Sequence, residues 1–335
     1  MTAAATSSGA QPWWRSTEAV VGAVLILAML AIGAVNPAFW SADNLFSLLR
    51  SNVVVGVMAL GLLVVMISGG IDVSFPAFAV VALYLVVRLM VDQGLGGHVW
   101  PFLAATAIGA GLGLVNAAII HKLRMIPLIV TLGTASMARG LLNGLVGTSN
   151  VNIDRFPKSL IEVGRIDLVT LTNAQGGSFG LTAMLPVYLA LALAVHLVLT
   201  RTMIGRSVFA YGASPEAARR VGFRTGRTVV FVYGLAGALA GLAGMMHSSM
   251  IWMANPRDFA GLEMEVIAAV VLGGASIFGG RGSVLGTMLG VFIIVMIKNS
   301  LILMGIDTTW QRVVIGAMLI AATALTALRD RKALV

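Results

Sequence analysis

Residues 53–87 read VVVGVMALGLLVVMISGGIDVSFPAFAVVALYLVV. Two apolar runs, 53–66 and 77–87, flank the segment ISGGIDVSFP at 67–76, which holds two adjacent glycines, an aspartate and a proline. Apolar stretches of 15 to 21 residues like these recur along the whole chain. Of 335 residues 59% are hydrophobic and 10% charged, with a mean hydropathy of +0.97. A soluble domain of this length would be about one quarter charged. The chain is therefore expected to be an all-α polytopic membrane protein.

Ten crossings are expected, at 18–36, 53–68, 75–91, 101–120, 127–147, 183–199, 228–249, 265–279, 284–304 and 310–328. Residues 44–51 read as a short surface helix before the second crossing. The run 19–35 is long for a signal peptide and lacks a small-residue cleavage site, so it is expected to remain as the first span, anchored by Trp13 and Trp14. The organisation is then a tail at 1–17, one transmembrane domain at 18–328 and a tail at 329–335.

Loop charge orients these spans. The 200–227 loop carries Arg201, Arg206, Arg219, Arg220, Arg224 and Arg227 against Glu216. The long 148–182 loop balances Arg155, Lys158 and Arg165 against Asp154, Glu162 and Asp167. Basic loops belong in the cytoplasm, so both termini are expected inside, in a bacterial inner membrane, with 148–182 outside. The same clustering explains the net charge of +9 without nucleic acid, since no basic stretch is interleaved with exposed aromatics.

Several chemistries are excluded. Without cysteine there is no disulfide or thiol reaction, and His98, His121, His196 and His247 lack metal-ligand spacing. No GxxxxGK[ST] loop or G-x-S-x-G elbow occurs, so neither ATP binding nor hydrolysis is expected on this chain, and no cofactor or metal.

Two spans look too short for ordinary crossings: the one ending at Ser68-Gly69-Gly70, and the one reaching Gly273-Gly274 seven residues after Val266. Freed backbone in lipid needs protein or a wet cavity to satisfy it, so such breaks can mark a path through the bundle. Close helix packing accounts for Gly273 and Gly274 equally well. Asp72 has two readings. It sits in water beside a turn in which Ser74 caps the next helix and Pro76 fills its first turn, or it faces a water-filled path.

Within the basic loop, GASPEAARRVG at 212–222 specifies a two-turn helix. Ser214 fits the N-cap and Pro215 the first position. Glu216 suits the positive end of the dipole, Arg219 and Arg220 the negative end, and Gly222 a left-handed stop. So short a helix needs something to dock against, either lipid headgroups or a partner protein.

With these stretches in hand, the chain resembles the permease subunits of bacterial ABC sugar importers, the group with ribose, galactose, rhamnose and autoinducer-2 permeases. The matching stretches are SGGIDVS at 68–74, NAAII at 116–120, IPLIVTLGTASMARGL at 126–141, GRSVFAYGASPEAARRVG at 205–222 and AAVVLGGASIFGGRGSVLGTMLG at 268–290. The resemblance implies separate cytoplasmic ATPase subunits, an extracytoplasmic solute-binding protein, and a second permease subunit, identical or related. It also implies that Gly205, Arg206, Gly212, Ser214, Pro215, Glu216, Ala217, Ala218 and Gly222 couple to the ATPase. Gly69, Gly70, Asp72, Ser74, Asn116, Thr131, Gly273, Gly274 and Asn299 are the residues expected along or near the path. Two departures stand out. Phe75-Pro76 replaces the usual small residue and glycine, and Val230-Phe231-Val232 stands where an apolar-Leu-Pro end is usual. The rival class is an ion-coupled secondary transporter, for which Asp72 is the one deep ionisable candidate.

Overall fold

A computed structural model describes residues 17–172, 178–305 and scattered positions from 307 to 320. The tail through residue 16, most of the tenth expected crossing and the tail at 329–335 lie outside the described residues. Among the described residues eight helices are long and apolar enough to cross a membrane: α1 (Thr17–Val35), α2 (Ala42–Ile67), α3 (Phe75–Asp92), α4 (Trp100–Leu123), α5 (Pro127–Leu141, prolonged by a π turn to Val146), α7 (Met184–Arg201), α10 (Thr225–Ile251) and α12 (Val284–Leu303). Shorter helices are α6 (Lys158–Gly164), α8 (Met203–Ala213), α9 (Pro215–Arg220) and α11 (Leu262–Leu272).

The expected surface helix at 44–51 is not separate. Ser41 accepts from Asn44 N–H and starts α2, and with no glycine or proline before Gly56 the helix runs unbroken for 26 residues, about 39 Å. Its polar residues are used inside the protein: Asn44 donates to the Phe39 carbonyl at 2.8 Å, Asn52 is buried, and Arg50 donates to the Met250 carbonyl at 2.7 Å. The second span is thus full length, and its break follows the helix rather than shortening it. The eighth is short as expected. α11 has only 11 residues, about 16 Å, and irregular chain carries the crossing on to α12.

Helices α2, α3 and α10 form the interior, whereas α1 buries only Val21 and Gly33 among its residues. The tightest contact joins α4 to α10. A Cβ on Gly109 would overlap the Gly237 carbonyl, one on Gly113 the Tyr233 carbonyl, and one on Gly241 the Ala105 carbonyl. Glycines four apart on both helices let the backbones touch, which is where dispersion and close approach replace the hydrophobic effect in lipid. The high glycine count is therefore a packing feature.

One end of the bundle carries α8, α9 and their arginines. The other carries α6 and an antiparallel hairpin, β1 (Asp167–Thr172) with β2 (Ser178–Thr182), that the all-helical reading did not anticipate. Here α6 lies on α10, with Gly164 against the Ser249 carbonyl and the Arg165 guanidinium 4.6 Å above the Trp252 ring. Asp258, in the loop after α10, stands 3.8 Å from His247 Nε2. Burial pushes its pKa up to about 6, partly offset by a backbone hydrogen bond at Asn255. An unfolded aspartate titrates near 3.8, so between about pH 4 and pH 6 the folded chain binds more protons at this group and its stability falls as pH rises. Asp258→Asn removes that dependence. The unfolding-temperature gain of the variant over the parent is expected to be larger at pH 7 than at pH 4.5, and a pH-independent difference would contradict the assignment.

Candidate functional site

The basic segment folds as its local signals dictate. Thr202 is extended and accepts from Gly205 N–H at 3.2 Å, ending α7 and starting α8. Gly205 lies so close to the Val198 and Leu199 carbonyls that a Cβ would overlap both. Ser214 accepts from Ala217 N–H at 3.2 Å, Pro215 opens α9, and Gly222 takes φ +92°. Phe223 N–H bonds the Ala218 carbonyl at 3.0 Å and Gly222 N–H the Arg219 carbonyl at 3.1 Å, closing a Schellman stop. Ala218 is the buried side of α9; Pro215, Glu216, Ala217, Arg219 and Arg220 are exposed, as is Arg206 on α8. Loss of the cap in Ser214→Ala costs about 1 kcal/mol. Amides 216–220 should then exchange hydrogen about fivefold faster, with Ser214→Asp restoring protection. Unchanged exchange would show that the cap does not hold α9.

The first glycine break, 68–74, carries a buried polar knot at Asp72 and Ser74, with Gly69 exposed at its start. Asp72 Oδ1 accepts from both the N–H and the hydroxyl of Ser74, each at 2.6 Å, and Asn116 Nδ2 donates to Ser74 Oγ at 2.9 Å. The Thr131 hydroxyl accepts from Val73 N–H at 3.3 Å and lies 3.4 Å from the Ile71 carbonyl. Asp72 is 2% exposed and Ser74, Asn116 and Thr131 are fully covered. The reading that leaves Asp72 in water is corrected. The aspartate itself ties the chain entering α3, in the manner of an Asx turn. Ser74 holds the N-cap position but makes no capping bond; its hydroxyl donates to Asp72 and accepts from Asn116 instead, and Pro76 is in the first turn as expected.

Depth follows from helix rise. Asn116 is seven residues from the end of α4 and Thr131 four from the start of α5, about 10 Å and 6 Å from the basic end. The knot therefore lies in the basic third of the bundle and not at its midplane. Two buried polar atoms at it are unpaired, Asn116 Oδ1 and the Tyr233 hydroxyl, the latter 2.5 Å from where a Cβ on Gly70 would stand. Polar satisfaction is incomplete at this point, which calls for an explanation.

The second break, 273–283, reaches the same place. Gly273 packs on the Gly286 carbonyl, and Gly274, at φ +91°, lies against Thr17. The chain then turns through Gly279 and Gly280, at φ +90° and +73°, with Ser276 N–H bonding the Arg281 carbonyl at 3.0 Å. Gly280 N–H donates to the Ile67 carbonyl, the last of α2, at 2.8 Å. A Cβ on Gly212, near the end of α8, would overlap that same carbonyl and stand 2.8 Å from Gly280 N. A Cβ on Gly279 would stand 2.6 Å from the Gly212 carbonyl oxygen and 2.8 Å from Gly69 Cα. Three backbones meet: the end of α2, the end of α8 and the 276–281 turn.

Not all of the expected residues come together: Gly273 and Gly274 pack on Gly286 and Thr17, and only the Gly279-Gly280 end of the second break reaches Gly69 and Gly212. Gly69, Gly70, Asp72, Ser74, Asn116 and Thr131 form the knot and its approach, and Gly212 joins it to α9. Asn299 stands apart, near the far end of α12, beside the 2.7 Å pair of Lys298 and Glu265. Sequence reading missed Ile67, Gly279 and Gly280; the run GGRG was visible, but its partner across the fold was not. A cleft of about 570 Å³ opens at the basic end, between His121 and Lys122 in the last turn of α4, Arg124 just after it, and Tyr211, Glu216 and Arg219.

Comparison with known proteins gives a consistent match. Residues 44–323 match the family described as branched-chain amino acid transport system / permease component. The chain is 31% identical over 310 residues to the autoinducer 2 import system permease protein LsrD of Escherichia coli (strain K12), covering 90% of this chain and 89% of that protein. It is similar to the protein of the same name from Photorhabdus laumondii at 33% identity over 314 residues, covering 91% and 89%. No solved structure matches.

Proposed function

This chain belongs to the permease-component family of ABC importers, and on that premise we propose that it is the membrane subunit of an ATP-driven importer for a sugar or sugar-like solute. Its basic end faces the cytoplasm, both termini lie inside, and the hairpin end faces a solute-binding protein. Hydrolysis takes place on separate ATPase subunits, and the pore is completed by a second permease subunit.

The observation that carries this reading is the contact of Gly212 with both helix breaks. A push on α9, delivered through α8, reaches the end of α2 and the 276–281 turn without an intervening side chain. Closure of the ATPase would shift these backbone segments and change which side the path faces. In this account Gly69, Gly70, Gly273 and Gly274 belong to the moving backbone. Asp72, Ser74, Asn116 and Thr131 hold the shape of the first break, one layer behind any solute-facing surface, and the unpaired Tyr233 and Asn116 atoms await partners in the other state.

The scarcity of buried charge favours a neutral, polyhydroxylated solute. Asp72 is the sole carboxylate or basic side chain fully buried among the described residues, and Ser74 already occupies it. That leaves a secondary transporter without a deep coupling carboxylate. The named relatives are import permeases for autoinducer 2. Selectivity would rest mainly with the binding protein, because a path that binds tightly cannot release.

The test is co-purification of the ATPase. Glu216→Lys is exposed and spares the fold, and is expected to reduce recovery of ATPase and solute uptake together by about tenfold or more. Unchanged recovery and unchanged uptake in Glu216→Lys and Gly222→Val would remove the coupling role.

A further inference from the structure

Phe278 is 85% exposed, more than any other large apolar side chain among the described residues. The turn that carries it rests on the arginine segment: Gly279 meets the Gly212 carbonyl, and a Cβ on Gly280 would lie 3.4 Å from Ala213 Cα. Ala213 immediately precedes Ser214, the cap of α9. The turn is rigidly set, since Gly279 and Gly280 both hold positive φ and Phe278 N–H donates to Ser276 Oγ at 3.2 Å. Phe278 therefore flanks the start of α9. Val221, 73% exposed, flanks its end. Between and around these two apolar side chains stand Arg219, Arg220, Arg224 and Arg227, all exposed.

We propose that Phe278 is a second point of attachment for the cytoplasmic ATPase, an aromatic knob that enters an apolar pocket with an acidic rim beside the groove receiving α9. The proposal rests on the reading of α9 as the ATPase-coupling helix and extends the surface beyond it. Three features select this occupant: continuity with α9 through Ala213, the ring of arginines calling for acidic complement, and the enrichment of aromatic anchors at the centres of protein interfaces. The consequence is mechanical. The ATPase grips the second break directly as well as through α8, so both breaks are driven from one partner surface.

The test places p-benzoylphenylalanine at Phe278 and, separately, at Val221, in the full complex in membranes. Both sites are expected to crosslink to the ATPase on illumination. A crosslink from 221 to the ATPase, with 278 crosslinking only to a second permease copy, to lipid or to nothing, would overturn the proposal and leave the coupling reading intact. Failure of both sites would overturn both. Independently, Phe278→Ala is expected to lower ATPase recovery about tenfold, as for an interface anchor, while Phe278→Trp retains it. Equal recovery in Phe278→Ala and the parent would count against the knob, and the exposed position keeps folding out of the comparison.

Discussion

Gly212→Val is expected to abolish solute uptake while the ATPase still co-purifies. The substituted side chain has nowhere to go: its Cβ would overlap the Ile67 carbonyl and crowd Gly280 N. Overpacking of this kind costs typically 1–3 kcal/mol, and here the main overlap, with the Ile67 carbonyl, is relieved by separating α8 and the 276–281 turn together from the end of α2, which leaves Phe278 in place beside α9. The exposed face of α9 is untouched, so partner binding survives and transmission does not. A drop of at least about tenfold in uptake at normal ATPase recovery is the predicted result, tenfold corresponding to about 1.4 kcal/mol. Gly212→Ala should be intermediate, since it adds one carbon where valine adds three. Normal uptake in Gly212→Val would mean that the three-backbone contact carries nothing.

Asp72→Ala is expected to reduce the yield of folded protein severely, and Asp72→Asn is not. Removing the carboxylate leaves the Ser74 N–H and hydroxyl without their acceptor inside a sealed site, at about 1–3 kcal/mol for each unsatisfied group. Asparagine keeps an oxygen at the Oδ1 position and can hold the same two bonds. The pair of variants separates shape from charge. Yield is read as monodisperse protein after solubilisation, and uptake is measured per folded molecule. If Asp72→Asn folds normally yet loses uptake, the carboxylate does more than fix the turn, and the placement of Asp72 behind the solute-facing surface is wrong.

How far the sequence could be read depended on the range of the interaction involved. The α9 helix was legible down to single bonds because Ser214, Pro215 and Gly222 act within four residues of themselves. The knot was half legible. A lone aspartate beside two glycines announces itself in an apolar chain, but its bonds to Ser74 and its link to Asn116 on α4 depend on tertiary placement. Residues 44–51 misled, since Asn44 and Arg50 look like surface polarity yet donate to the Phe39 and Met250 carbonyls. The β1–β2 hairpin was missed because helical periodicity dominates the chain and its strands are only 6 and 5 residues long. Glycine content signalled close packing without naming partners: nothing local says that Gly280 meets Ile67, or that Gly109 meets Gly237.

Reconstitution into sealed liposomes tests the central claim most directly. The chain is incorporated alone, or with its ATPase and the solute-binding protein, and accumulation of labelled solute is followed with and without ATP. Accumulation only in the complete system, only with ATP, and lost in Gly212→Val is the predicted result. Accumulation against a gradient by the chain alone, or in Gly212→Val at the parental rate, would contradict it.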